Sequence, residues 1–194
     1  MGRIKSALEI ALERTENVQS DKSSIKQFDA KQNGKKLANA WLEGSVNLAD
    51  EIKKTPAEQQ KSLKQGIFDV LITQIALPAV KDDEKRLDVI GKGLHIVINS
   101  GKITALFAQL KEVFAQYLQE VSHYEQALRA QYAPKLRQKE EELSRRLGRE
   151  VRIDPFQDPE FAAFYNQNMN TLKANYETVI EQVKEETRRM FTRA

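Results

Sequence analysis

The sequence predicts an all-α protein: a helical bundle that carries a long antiparallel, coiled-coil-like hairpin in its C-terminal half. Three observations point there. Strand signals are nearly missing, and the best of them, Leu94 to Ile98, is a short apolar run that suits a buried helix segment equally well. Apolar residues recur at helical spacing over almost all the rest. Between Lys102 and Leu147 there is no glycine and a single proline, Pro134.

In the N-terminal half, Ile4, Ala7, Leu8, Ala11 and Leu12 make one face of a first helix. From Thr15 to Gly34 the pattern weakens to two large anchors, Ile25 and Phe28, and reads as a loop or a poorly anchored helix. Leu37, Trp41, Leu48 and Ile52 give a second amphipathic helix. Thr55-Pro56-Ala57-Glu58 looks like a capping box with proline at the first helical position. The helix it opens passes Phe68, Leu71 and Ile75 to a break near Pro78. Asp82 or Asp83 is placed to cap the next, with Leu87, Ile90 and Leu94, which stops and restarts at Asn99-Ser100-Gly101.

The hairpin follows. Ile103, Leu106, Leu110, Val113, Tyr117, Val121, Tyr124, Leu128, Tyr132, Leu136, Leu143 and Leu147 form one stripe, in mixed steps of three and four. That mixture describes a nearly straight helix of roughly 70 Å. Pro134 is expected to kink or split it. Gly148 ends it, and Asp158-Pro159 starts a last helix whose stripe runs from Phe161 to Met190. Two long stripes joined by a short connector cover each other by folding back. The chain thus divides into residues 1–101, with a small bundle over about 35–101, and a hairpin over 102–194 with its tip at 148–160.

Composition narrows the function. The chain has 194 residues, 40% apolar and 30% charged, with no cysteine and a net charge of +3. Disulfides, thiolate catalysis and Cys-ligated metal are excluded. No apolar stretch reaches about 20 residues, so no transmembrane helix is expected. Met1 to Glu16 lacks the apolar core of a signal peptide, and a cytoplasmic location is expected. Met1-Gly2-Arg3-Ile4-Lys5-Ser6 matches the loose lipidation pattern, but packing of the apolar stripe accounts for the same residues.

No catalytic signature appears. Glu120 and His123 have the Glu-x-x-His spacing of di-metal bundles, but Lys92 precedes His95 where a second pair would need a glutamate. Gly101-Lys102 lacks the rest of a phosphate loop, since Ile96 and Ile103 occupy the required positions. Gly91, Gly93 and Gly101 suit a flexible or tightly packed helix junction instead. No metal, cofactor or catalytic residue is assigned.

Two features of the hairpin remain. Residues 129–152 carry eight basic and four acidic groups, which makes Arg137, Arg145, Arg146, Arg149 and Arg152 candidate anion-binding residues. Against this, Glu140–Glu142 and Glu150 can neutralise much of that charge. The connector is unusually apolar, and Val151, Ile153 and Phe156 are candidate partner-binding residues. Their alternative role is to fold back and seal the end of the hairpin. The expected function is a non-catalytic scaffold or adaptor working through protein–protein contacts, including with a second copy of the chain. One alternative is an anionic partner, nucleic acid or a membrane surface, held by the basic arm. Another is a small ligand or a divergent active site between helices near Gly91 and Phe114.

Overall fold

The computed structural model describes residues 7–80 and 83–194, with side chains from Ser23 onward and without that of Glu84. The apolar face from Ile4 to Leu12, the N-terminal lipidation pattern and the cap expected at Asp82 lie outside the described residues. Among the described residues there are six α-helices and one 3-10 turn, and no strand: α1 (Ala7–Leu42), α2 (Leu48–Lys54), α3 (Ala57–Thr73), α4 (Asp83–Ile98), α5 (Gly101–Leu147), the turn Pro155–Gln157, and α6 (Pro159–Thr192). The fold is all-α. Leu94 to Ile98, the candidate strand, is the last part of α4.

The helices group into two compact units. One comprises Met1–Ile75, Asp88–Thr104 and Arg189–Ala194; the other comprises Ala76–Leu87 and Ala105–Arg188.

In the first unit, α1 is continuous through Thr15–Gly34, so of the two readings, loop or poorly anchored helix, the helix holds. The reason is that its anchoring residues are small. Ala30, Gly34 and Ala38 are buried where α1 meets α3, and such small residues do not stand out as large apolar anchors. The approach is reciprocal. A methyl group on Gly34 would press into the Leu63 carbonyl, 3.0 Å from its carbon, and one on Gly66 would press into the Lys31 carbonyl, 2.9 Å from its carbon. Contacts between the two helices advance in the same order: Lys26 with Glu58, Gly34 with Leu63, and Trp41 beside Leu71 where both meet Gly93. Helices α1 and α3 therefore run parallel, and the α2 segment carries the chain back.

The helix expected from Leu37 to Ile52 is broken. Gly44, at φ 75°, donates to the Trp41 carbonyl while Ser45 donates to Ala40, a Schellman stop. Asn47 then caps α2 by accepting from the Ala49 N–H. The expected capping box is also absent. Pro56 occupies the N-cap of α3 without a side-chain bond, and the Thr55 hydroxyl turns back to the Glu51 carbonyl at the end of α2. The core comprises Leu48, Leu63, Ile67, Leu71, Ile90 and Leu94 among others, all buried. Trp41 donates its indole N–H to the Val89 carbonyl, and Phe68 stacks on Phe191 with centroids 4.1 Å apart. Asn99, at φ 53°, stops α4 and leaves Ser100 to accept the first bond of α5.

In the second unit α5 and α6 meet along one stripe. Tyr117 packs on Tyr176, Tyr124 donates to Asn168, and Tyr132 packs on Phe161. One member of each pair rises in number as the other falls, so the paired segments are antiparallel. Pro134 does not split α5, which is helical on both sides of it. Of the apolar side chains near the distal end Leu128, Tyr132 and Phe161 are buried, while Phe164, Met169 and Leu172 are half-buried. A two-helix stripe covers each side chain from one direction only, so half-burial is the physical consequence.

Candidate functional site

The connector between α5 and α6 is laid back along α5 by three side chains from that helix. Ser144 accepts the Val151 N–H (2.9 Å), and Glu140 accepts the Ile153 N–H (2.8 Å). Lys139 binds both carboxylate oxygens of Asp158, at 2.7 and 3.0 Å. The partners recede along α5 as the connector advances, so the connector runs antiparallel to the last turns of the helix. Asp154 closes the 3-10 turn by accepting the Phe156 N–H, and Asp158 caps α6 by accepting the Glu160 N–H.

Asp158 belongs to a larger ionic cluster. Its side chain is 4% exposed and is bound by Lys139 and the Tyr132 hydroxyl, both of which also reach Glu160, the partner of Lys135. The Tyr132 hydroxyl is shared between Asp158 and Glu160, at 3.2 Å from each. Hydrogen bonds from Lys135 and Lys139 push Glu160 down to about 2. The Lys139 hydrogen bond likewise holds Asp158 below the usual carboxylate range, and Asp158 and Glu160 raise Lys139 in return. The two lysines match the two carboxylates in charge. The role of the cluster is to hold the connector. Periodicity did not reveal this cluster, because Lys139 and Asp158 come together only when the connector folds back.

Phe161 is fully buried between Tyr132, Phe156 and Tyr165. Phe156 is 44% exposed. One edge of its ring packs on Phe161 and Tyr165, at 5.3 and 5.1 Å, and the Arg129 guanidinium lies 4.9 Å over it. Val151 and Ile153 are half-buried. Helix α5 adds Leu143 and Leu147, the latter 56% exposed, because it continues beyond the start of α6 and only the connector lies beside it. A cleft of about 300 Å³ lies between Leu143, Arg146, Ile153 and Pro159.

The five candidate arginines are all exposed but are not equivalent. Arg145 pairs with Glu141 at 3.8 Å, and Arg152 with Glu150 at 3.0 Å. Glu140 is in no ion pair with any of them among the described residues, and its Oε1 accepts the Ile153 N–H. Arg137, Arg146 and Arg149 have no carboxylate within ion-pair distance among the described residues.

Elsewhere in this unit, Glu120 and His123 line an open groove of about 610 Å³ with Gln116, Tyr124, Thr171 and Asn175. Glu120 accepts from Gln116 at 3.0 Å and from the Tyr176 hydroxyl, which burial and this bond push up to about 12. Among the described residues no three His, Asp or Glu side chains are grouped as a metal site. No described helix is long and apolar enough to cross a membrane. In the first unit, the space beside Gly93 is filled by Leu71 and Trp41, so that junction is packed.

Neither a curated protein nor a solved structure matches the chain. A family match does extend over residues 49–189, from α2 to the last turns of α6, and leaves α1 ahead of it. On that match the chain belongs to the Family of unknown function (DUF6657).

Proposed function

We propose that this protein is a non-catalytic adaptor whose α5–α6 tip docks a protein segment that is apolar at its centre and acidic at its flanks. One observation carries the reading: Leu143 and Leu147, one turn apart at the end of α5, are both exposed, next to Arg146 and Arg149, which have no carboxylate partner among the described residues. Exposed large apolar side chains that are clustered, not scattered, mark docking surfaces. Unpaired arginines at the rim select partner charge and speed association. The ion-paired connector supports the reading further, because a surface already held in place loses little entropy on binding.

Photo-crosslinking from position 147 in cells tests this, followed by mass identification of the adduct. The expected adduct is a protein whose crosslinked segment is rich in Asp and Glu, lost on Leu143→Asp and weakened in Arg146→Glu/Arg149→Glu. Adducts that persist in Leu143→Asp would refute the site. Retention on nucleic acid or anionic vesicles, with a salt slope that falls in Arg146→Glu/Arg149→Glu, would assign the arm to an anionic surface instead.

A further inference from the structure

The cleft beside the α5–α6 connector takes its apolar walls from three elements: Leu143 of α5, Ile153 of the connector and Pro159 of α6. Two of these walls are pinned from behind. Glu140 holds the Ile153 N–H, and Lys139 holds Asp158, the residue before Pro159. The apolar surface is still open, with Leu143 36% exposed, Ile153 half-buried and Pro159 exposed. At about 300 Å³ the cleft lies at the lower end of the range for small-molecule pockets, with room for one large side chain and its neighbour. A cleft whose walls are already held loses little entropy when it is filled.

The charges along it are ordered. Steps of three and four set Lys139, Glu142, Leu143 and Arg146 on one face of α5, and all four line the cleft. Lys139 is engaged by Asp158 and Glu160. Glu142 and Arg146 are exposed, and neither has an ion-pair partner among the described residues. Their positions are about 6 Å apart along the helix axis, with Leu143 between them. A carboxylate brought to the Arg146 end therefore meets an open cation, whereas one brought to the Glu142 end meets a like charge.

We infer that this cleft seats one apolar side chain of a docked protein segment, with the carboxylate of an adjacent residue on Arg146 and none on the Glu142 side. This seat presupposes the docking tip proposed above and gives it a specificity pocket with one acidic side.

Capped dipeptides added to the full chain test it, with the methyl signals of Leu143 and Ile153 followed by NMR. Acetyl-Leu-Glu-amide should shift both signals, and acetyl-Ala-Glu-amide should bind about tenfold more weakly. Acetyl-Leu-Gln-amide should bind about two- to fivefold more weakly than acetyl-Leu-Glu-amide, and Arg146→Gln should close that gap. Glu142→Gln should act in the opposite sense and tighten acetyl-Leu-Glu-amide, because it removes a repulsion. Both positions are exposed, so neither change should alter the helical spectrum. Equal binding of the three peptides, weaker binding in Glu142→Gln, or no shift at Ile153 overturns the seat. Docking at the tip is decided separately by the adduct from position 147. An adduct lost on Leu143→Asp, with Ile153 unshifted by every peptide, would leave the docking surface standing and remove the pocket.

Discussion

Replacing Gly34 by alanine should destabilise the protein, although alanine is the better helix former. Relief of glycine's conformational entropy in mid-helix favours the substitution by up to about 1 kcal/mol. Against it stands the crossing with α3, where the new Cβ lies 3.0 Å from the Leu63 carbonyl carbon, 3.1 Å from the Ile67 nitrogen and closer still to the Leu63 oxygen. These are backbone atoms, which cannot rotate aside. A carbon–oxygen contact needs about 3.3 Å, so the helices must part by roughly 1 Å. A gap of that size forfeits a quarter to a half of the dispersion energy of the contacts it opens, and overpacking of this kind costs about 2–3 kcal/mol. The net loss is about 1–2 kcal/mol, or a Tm lowered by roughly 2–8 °C for a chain of this size. Gly66→Ala, which meets the Lys31 carbonyl, should behave alike. The double variant should cost less than the sum, because both methyls open one crossing. Gly101→Ala is the control: nothing lies within 4 Å of its Cβ, and its stability change should stay within about 0.5 kcal/mol. Thermal unfolding followed by far-UV circular dichroism reads all four. A Gly34→Ala chain that melts at or above the wild-type temperature would refute the close crossing.

Phe161→Ala should cost about 3–5 kcal/mol in urea unfolding, as for any fully buried phenylalanine. Phe156→Ala should cost clearly less but not zero, since half of that ring rests on Phe161 and Tyr165; equal losses would make Phe156 the plug of the connector and remove it from the docking surface. Acid should loosen the tip: Glu160 is depressed from 4.5 to about 2 and Asp158 is also depressed, so their contribution is complete above about pH 5 and fades as pH falls toward 2. Urea midpoints measured across that window should flatten in Glu160→Gln, and an unchanged slope would dissociate Glu160 from the lock. Alkali should act oppositely on Lys139 and Tyr132, both raised, whose contribution is complete below about pH 10 and is lost above it. Absorbance titration of the tyrosines should show one that ionises near 12, and Glu120→Gln should bring it down; no change would break the Tyr176–Glu120 bond.

What the sequence alone determined is the fold class and the ends of most helices, because these depend on local chemistry. Apolar spacing of three and four marks α3 through α6, Asn99 and Gly148 stop helices through their left-handed backbone, and Asp158-Pro159 starts α6. The candidate site was legible in part for the same reason: Phe156 lies outside both stripes, and it is exposed. What only the tertiary structure decided is everything that depends on surfaces meeting. Thr15–Gly34 left loop and poorly anchored helix undecided because its contact residues, Ala30 and Gly34, are small, and their value lies in how closely another backbone can approach. The five arginines read as one patch because charge counts ignore geometry, whereas Glu141 and Glu150 claim two of them and Glu140 accepts a backbone N–H. The Lys139–Asp158 lock, nineteen residues apart in the chain, comes into being only when the connector folds back, since ion pairs form over a few ångströms of space and leave no period in the sequence.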